Sequence, residues 1–276
     1  MYCTEFVFDG ISSKEYDLII CSFDGNKSGS ATAGSNIEYT TFKAPNSNKW
    51  VKTGSNYSEQ LTFTFQICKC KCNSVINEPL SEREQAFLMR WLVRTDYKYL
   101  RFMQEGYENI YYKCQITAER YMIDGKCYGL TLNVVCDAPF GWSEEKTAKI
   151  VSDGSTTVQL FDDSDEIGIL YPRVEIKAMD AGDIEITNFL TNTTTIIRNC
   201  KAGEIIVLDD GQIKSSHWFE ESIEYNESDS HPSLHEDFNG EWITIGNTFT
   251  NRVNKITVSG DCEIELSWRV ARKAVI

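Results

Sequence analysis

Three thiols alternate with two lysines in the run Cys68-Lys69-Cys70-Lys71-Cys72. On a strand the thiols share one face and the lysines the other. A tetrahedral zinc site needs four ligands, and paired cysteines usually have a gap of two residues between them so that both reach one ion. No complete second half accompanies this run, although Cys114, Cys127 and Cys136 occur later in the chain. The expected role is therefore that of small side chains on a strand. The histidines are His217, His231 and His235, all within one polar stretch. His231 and His235 have helical ligand spacing, but Pro232 and Ser233 intervene, and the Glu that a zinc protease carries beside its first His is missing. Between Phe219 and Asp237 the acids Glu220, Glu221, Glu224, Glu227, Asp229, Glu236 and Asp237 accumulate without the fixed spacing of a calcium loop. This stretch reads as a solvated excursion. Glycoside hydrolysis needs two carboxylates at a set spatial separation, which the sequence does not specify. No Gly-x-Ser-x-Gly elbow, Walker loop or dinucleotide fingerprint occurs. We therefore expect no catalytic residue, no metal ligand and no cofactor, and read the chain as a non-enzyme.

A second chemistry is stacking of aromatic rings on sugars. Trp142, Trp218 and Trp242 lie in or beside the second half, and His217-Trp218 is followed by Glu220 and Glu221. A carbohydrate-binding module recognising a host cell-wall saccharide would use His217, Trp218 and Trp242. Trp242 also sits in an alternating run, where an aromatic side chain more often fills a core.

The elements that must position these residues are mostly strands. Thr4 to Phe8 alternates, Leu18 to Phe23 is apolar, and Leu61 to Ile67 has period 2 with Leu61, Phe63, Phe65 and Ile67 facing a core. Asp24 to Asn36 and Pro45 to Asn48 are rich in turn formers and read as loops. One helix is predicted over about 81–95. Ser81-Glu82-Arg83-Glu84 is a capping box, and Phe87, Leu88, Trp91 and Leu92 follow on one face. Strands are predicted at Tyr99 to Met103 and Ile110 to Arg120. Tyr121 to Ile123 and Tyr128 to Val135 then flank Asp124-Gly125, a strong hairpin signal.

A helix among strands argues for a sheet-based first domain, 1–138, closing near Asp137-Ala138-Pro139-Phe140. From 139 to 276 only short strands appear: Val158 to Phe161, Arg173 to Lys177, Asp183 to Asn188, Thr194 to Asn199, Glu204 to Leu208, Gln212 to Ser215, Trp242 to Ile245, Lys255 to Ser259 and Glu263 to Arg269. Their spacing, with Asp209-Asp210-Gly211 as a further hairpin, predicts a β-sandwich. The fold class is mainly β.

The chain has 276 residues, within the range of two domains. With 27 Lys and Arg against 41 Asp and Glu, its formal charge of −14 disfavours binding of a phosphate backbone. The opening Met-Tyr-Cys-Thr-Glu-Phe has no basic n-region before an apolar stretch, and no apolar run approaches a membrane span, so neither a signal peptide nor a span is expected. Ten cysteines without a secretion signal indicate reduced thiols of a protein made in a cytosol.

The order of motifs resembles one family. Phe6-Val7-Phe8-Asp9-Gly10-Ile11-Ser12-Ser13 followed by Tyr16-Asp17-Leu18 is similar to the start of the distal tail proteins of phages with long non-contractile tails. Asn239-Gly240-Glu241-Trp242-Ile243-Thr244-Ile245-Gly246, then Asn254-Lys255-Ile256-Thr257-Val258-Ser259-Gly260 and Glu263-Ile264-Glu265-Leu266, resemble their end. The helix around Trp91, the aromatic Tyr107 to Tyr112, the Asp137-Ala138-Pro139-Phe140 junction and Tyr171-Pro172 fall between them in order. Asn247 to Arg252 departs from the family, which often has a tighter Gly-containing turn there.

The resemblance implies an N-terminal domain that builds a homohexameric ring and a C-terminal sandwich similar to galectins and carbohydrate-binding modules. It implies a ring at the virion tail tip that joins the tail tube protein to tail-associated, tail-tip and receptor-binding proteins. DNA would only pass through its channel. Synthesis and assembly would take place in the bacterial host cytoplasm.

Overall fold

A computed structural model describes residues 4–23, 36–69, 78–216 and 237–273. The backbone packs into two units, one of residues 1–143 with 271–276 and one of 144–270. The last strand therefore belongs with the first unit. Among the described residues the chain is mainly β.

The first unit contains β1 (Phe6–Phe8), β2 (Ile11–Ser12), β3 (Leu18–Cys21), β4 (Ile37–Lys43), β5 (Trp50–Tyr57) and β6 (Thr62–Lys69). After α1 (Glu82–Leu92) come β7 (Lys98–Phe102), β8 (Tyr112–Ile123), β9 (Lys126–Cys136) and β10 (Gly141–Trp142). Seven of these form an antiparallel sheet in the order β2-β1-β7-β8-β9-β6-β3. Strand alternation puts Phe6, Phe8, Leu100, Phe102, Ile116, Leu132 and Ile67 into one continuous core. Leu61 is also buried, and Phe63 and Phe65 pack against the same core, as the period-2 run predicts.

Helix α1 covers this face. Its capping box is present: the Ser81 side chain accepts from the Glu84 N–H, and Glu84 accepts from the Ser81 N–H at 2.8 Å. Leu88, Trp91 and Leu92 are buried, and the Trp91 indole N–H donates to the Phe8 carbonyl at 3.1 Å. The helix stops at Leu92, earlier than predicted, because the β-branched Val93 adopts extended angles. Phe87 lies at the margin of the apolar stripe, exposed in part and packed on Tyr16 at 4.9 Å. At the predicted hairpin, Asp124 and Gly125 both have positive φ, of 48° and 76°, the geometry of a tight two-residue turn.

One glycine of the sheet is a spacing requirement. A Cβ on Gly129 would come 2.2 Å from the Ile67 carbonyl oxygen and 2.4 Å from the Phe23 ring. Phe23 stacks on Tyr121 at 3.9 Å and so closes over this part of the face opposite the helix.

The junction is built on Asp137. The Trp142 indole N–H donates to its carboxylate at 3.0 Å and Lys113 lies at 3.8 Å, while burial pushes the carboxyl up from its ordinary range. β10 then pairs with β22 (Ala271–Arg272), so the chain leaves and rejoins the first unit on adjacent strands.

The second unit contains β11 (Lys146–Ser152), β12 (Ser155–Phe161), β13 (Gly168–Leu170), β14 (Arg173–Ala178), β15 (Gly182–Asn188), β16 (Thr193–Cys200), β17 (Ile205–Asp209), β18 (Gln212–Ser215), β19 (Ile245–Asn247), β20 (Val253–Ser259) and β21 (Cys262–Trp268). Two antiparallel sheets, β11-β21-β14-β17-β18 and β12-β20-β15-β16, share a core that includes Ile176, Ile206, Leu266, Ile186, Ile256 and Val258. This is a β-sandwich. The strand expected over Trp242 to Ile245 instead begins at Ile245. One reason is that the Thr244 carbonyl accepts from the Asn188 side chain at 2.7 Å.

Two outcomes follow for the helix. Ser81→Ala should destabilise the first unit by about 1 kcal/mol in denaturant unfolding. Hydrogen bonds from Lys69 and Ser81 hold the Glu84 carboxyl at about 2, below its ordinary 4.5. The folded state then binds fewer protons than the unfolded state across this window, so stability falls as pH drops from about 4.5 to about 2. Denaturation across a pH series should show that slope flattened in Glu84→Gln.

Candidate assembly surfaces

β4 and β5 pair with each other and form a separate two-stranded ribbon, joined by the turn predicted at Pro45 to Asn48. Alternation distributes its side chains over two faces. Ile37, Tyr39 and Trp50 lie on one face with Lys43 and Lys52, whose ammonium groups stand 5.9 Å and 4.4 Å from the Trp50 and Tyr39 rings. Phe42 faces Val51 on the other. A register shift after Thr40 bulges the second strand at Thr53, whose hydroxyl donates to the Thr40 carbonyl at 3.1 Å.

Both faces are open. Trp50 is 62% exposed, Tyr39 59% and Phe42 55%. A lone two-stranded ribbon is marginal in water, and exposed apolar groups on both of its faces are of the kind found at interaction sites. Its outer edges also offer backbone groups for strand addition. The signal was present in Ile37-Glu38-Tyr39-Thr40-Thr41-Phe42-Lys43, but the consecutive threonines and the bulge opposite them blur the period-2 pattern.

Of the expected sugar contacts, His217 and Trp218 lie outside the described residues, as do His231, His235, Cys70, Cys72 and most of the Asp24 to Asn36 loop. Trp242 is half-buried, packs edge-on against Phe238 at 5.5 Å and borders a cleft of about 290 Å³. Gly211, Gln212, Ile213 and Lys214 of the Asp209-Asp210-Gly211 hairpin line the other side.

The segment carrying Trp242 is held by an amide network that sequence reasoning missed. Asn254, fully buried, accepts from the Gly246 N–H at 2.8 Å and from the Asn188 side chain at 2.9 Å, and donates to the Gly246 carbonyl at 2.9 Å. The departure at Asn247 to Arg252 is closed by a turn in which the Thr248 N–H donates to the Asn251 carbonyl at 2.8 Å. Arg252 donates to the Ser164 carbonyl at 2.6 Å.

Among the described residues no group of three or more His, Cys, Asp or Glu side chains is placed to hold a metal ion. No helix among them is long and apolar enough to cross a membrane.

The fold is thus two sheet-based units, the first carrying an exposed aromatic ribbon. Residues 1–138 match the family described as phage tail protein N-terminal domain, and residues 140–268 match phage tail C-terminal domain. The chain belongs to this family of phage tail proteins. Among solved structures it is similar to the Dit (gp 19.1) protein of SPP1, described as a paradigm of hub adsorption apparatus in phages infecting Gram-positive bacteria. The two share 14% identity over 96% of this chain and 98% of that one, with a TM-score of 0.58. The likeness establishes a common fold and agrees with the resemblance to distal tail proteins. No curated protein sequence matches the chain.

Removing the buried amide should loosen the second unit without touching the first. Asn254→Ala leaves the Gly246 N–H and the Asn188 amide without this partner, and should cost about 3 kcal/mol in thermal or denaturant unfolding of that unit.

Proposed function

We propose that this tail protein is the distal hub of a long non-contractile tail, closing into a ring at the virion tail tip. The ring, of six copies as the family resemblance implies, joins the tail tube to the tail-tip and receptor-binding proteins. DNA passes through its channel. The observation that carries this reading is the β4–β5 ribbon, with Tyr39 and Trp50 open on one face and Phe42 on the other. A ring made by rotation needs two different complementary surfaces on each copy, and an exposed ribbon can supply one of them. The net charge of −14 suits a wall past which a phosphate backbone must slide without sticking.

Light scattering coupled to size exclusion, over a concentration series, tests the ring. A hexamer, or two stacked rings with a central hole in negative-stain images, supports it. Phe42→Ser with Trp50→Ser should shift the population to monomer at unchanged circular dichroism. A strict monomer at every concentration, with no binding to tail tubes, removes the ring from consideration.

The Trp242 cleft favours a second reading, recognition of a host cell-wall saccharide, because it combines an aromatic side chain with Gln212 and Lys214. A glycan array probed with the native chain and with Trp242→Ala tests it. Binding lost in the variant supports saccharide capture, and equal signals from both dismiss this cleft.

A further inference from the structure

Strands β3 and β6 place two thiols on one face at the border of the seven-stranded sheet. In their register Cys21 lies opposite Gln66 and Cys68 opposite Ile19, so the two cysteines are diagonal neighbours pointing the same way. The register sets the two thiols close enough to shift each other's acidity. The face is the one away from the helix, where Phe23 and Tyr121 stack, and the Phe23 N–H donates to the Gln66 side chain at 2.7 Å. Cys21 is half-exposed, whereas Cys68 is buried.

We propose that Cys21 and Cys68 are an oxidisable pair that forms a disulfide when the chain meets a small-molecule disulfide such as oxidised glutathione. The half-exposed Cys21 sulfur, its proton passed to the neighbouring Cys68 thiolate, attacks one sulfur of the oxidant and releases one glutathione thiolate. Cys68, giving up its proton, then attacks the Cys21 sulfur of the mixed disulfide and releases the second. Two protein thiols are oxidised, one S–S bond forms between them, and one oxidised glutathione becomes two reduced molecules.

Three features single out this pair. A diagonal pair starts just beyond the usual disulfide span, and the strand that must move is β3, at the border of the sheet, paired on one side with β6 and held on the other by the Ile20 N–H donating to the Thr4 carbonyl at 3.1 Å. The neighbouring Cys21 thiol holds Cys68 down to about 7, while Cys68 and burial hold Cys21 up. By contrast Cys114 and Cys136, directly opposite each other on β8 and β9, are sealed in the core, and burial pushes Cys136 up to about 12. Deep burial and a retained proton make such thiols inert.

The pair also fits a change of surroundings. A protein assembled in a reducing cytosol and carried outside in a virion meets oxidants only after release. That timing rests on the tail-tip reading. The sulfur chemistry does not.

The test uses the native full chain equilibrated with oxidised glutathione, then alkylated at its free thiols before denaturation and trypsin digestion. Trypsin releases Cys21 in residues 15–27 and Cys68 in residues 53–69, each with no other cysteine, which separates Cys68 from Cys70 and Cys72. The expected product is the 15–27 peptide linked to 53–69, retained when Cys70 and Cys72 are replaced by serine. Glutathione adducts alone, or Cys68 joined to another cysteine, overturn the proposal. Oxidation should also raise the melting temperature of the first unit by on the order of 5 °C. An equal rise in Cys21→Ser would assign the effect elsewhere and overturn the pairing.

Discussion

The Trp91 indole fixes how the helix lies on the seven-stranded sheet. Its N–H is tied to the Phe8 carbonyl, its ring stacks on Phe6 at 5.8 Å, and Tyr16 leans against it at 5.0 Å. A buried indole must find an acceptor, and this one takes a backbone carbonyl on β1, next to the sheet border formed by β2. That bond ties helix, first strand and core into one arrangement. At the other end of the helix, the Ser81 cap and the Lys69 to Glu84 ion pair at 2.5 Å fix its start over β6. The helix is thereby held over both flanks of the sheet, and the unit gains rigidity from it.

The second unit achieves order by a different route. Its sheets are lined by isoleucine, valine and leucine, whose packing alone leaves the connecting segments undetermined. Asn188, Asn247 and Asn254 supply what the apolar core cannot, a set of directional bonds that fasten the 241–247 segment to β15 and β20. Asn247 donates to Asp162 at 2.7 Å and so fastens the 162–166 segment as well. Buried amides are costly when unpaired and specific when paired, which explains why they occur where loops must adopt one shape.

Much of this was legible in the sequence wherever one local rule decided the outcome. The capping box at Ser81, the Asp124-Gly125 turn and the alternation of β6 are short-range patterns, and the structure realises each. The Trp91 to Phe8 bond joins residues far apart in sequence, as does the Asn188 to Asn254 bond, and neither leaves a local trace. The β4–β5 ribbon escaped because it has no buried side to impose a clean alternation. Trp242 was assigned to a strand because its neighbours alternate, yet hydrogen bonds from side chains interrupt the ladder there. The expected helix over about 81–95 ran past its end because three residues of irregular backbone carry no breaker as strong as glycine or proline.

The pairing of β10 with β22 has an evolutionary consequence. Everything from Glu144 to Val270 departs and returns through neighbouring strands, so it is spliced into the first unit as a cassette. Domain termini that lie close together make such insertions tolerable to the host fold. Recombination that exchanges this cassette for another with adjacent ends leaves the helix-covered sheet and its ribbon intact. Lineages of tails can in this way diversify one half of the protein without rebuilding the fold of the other.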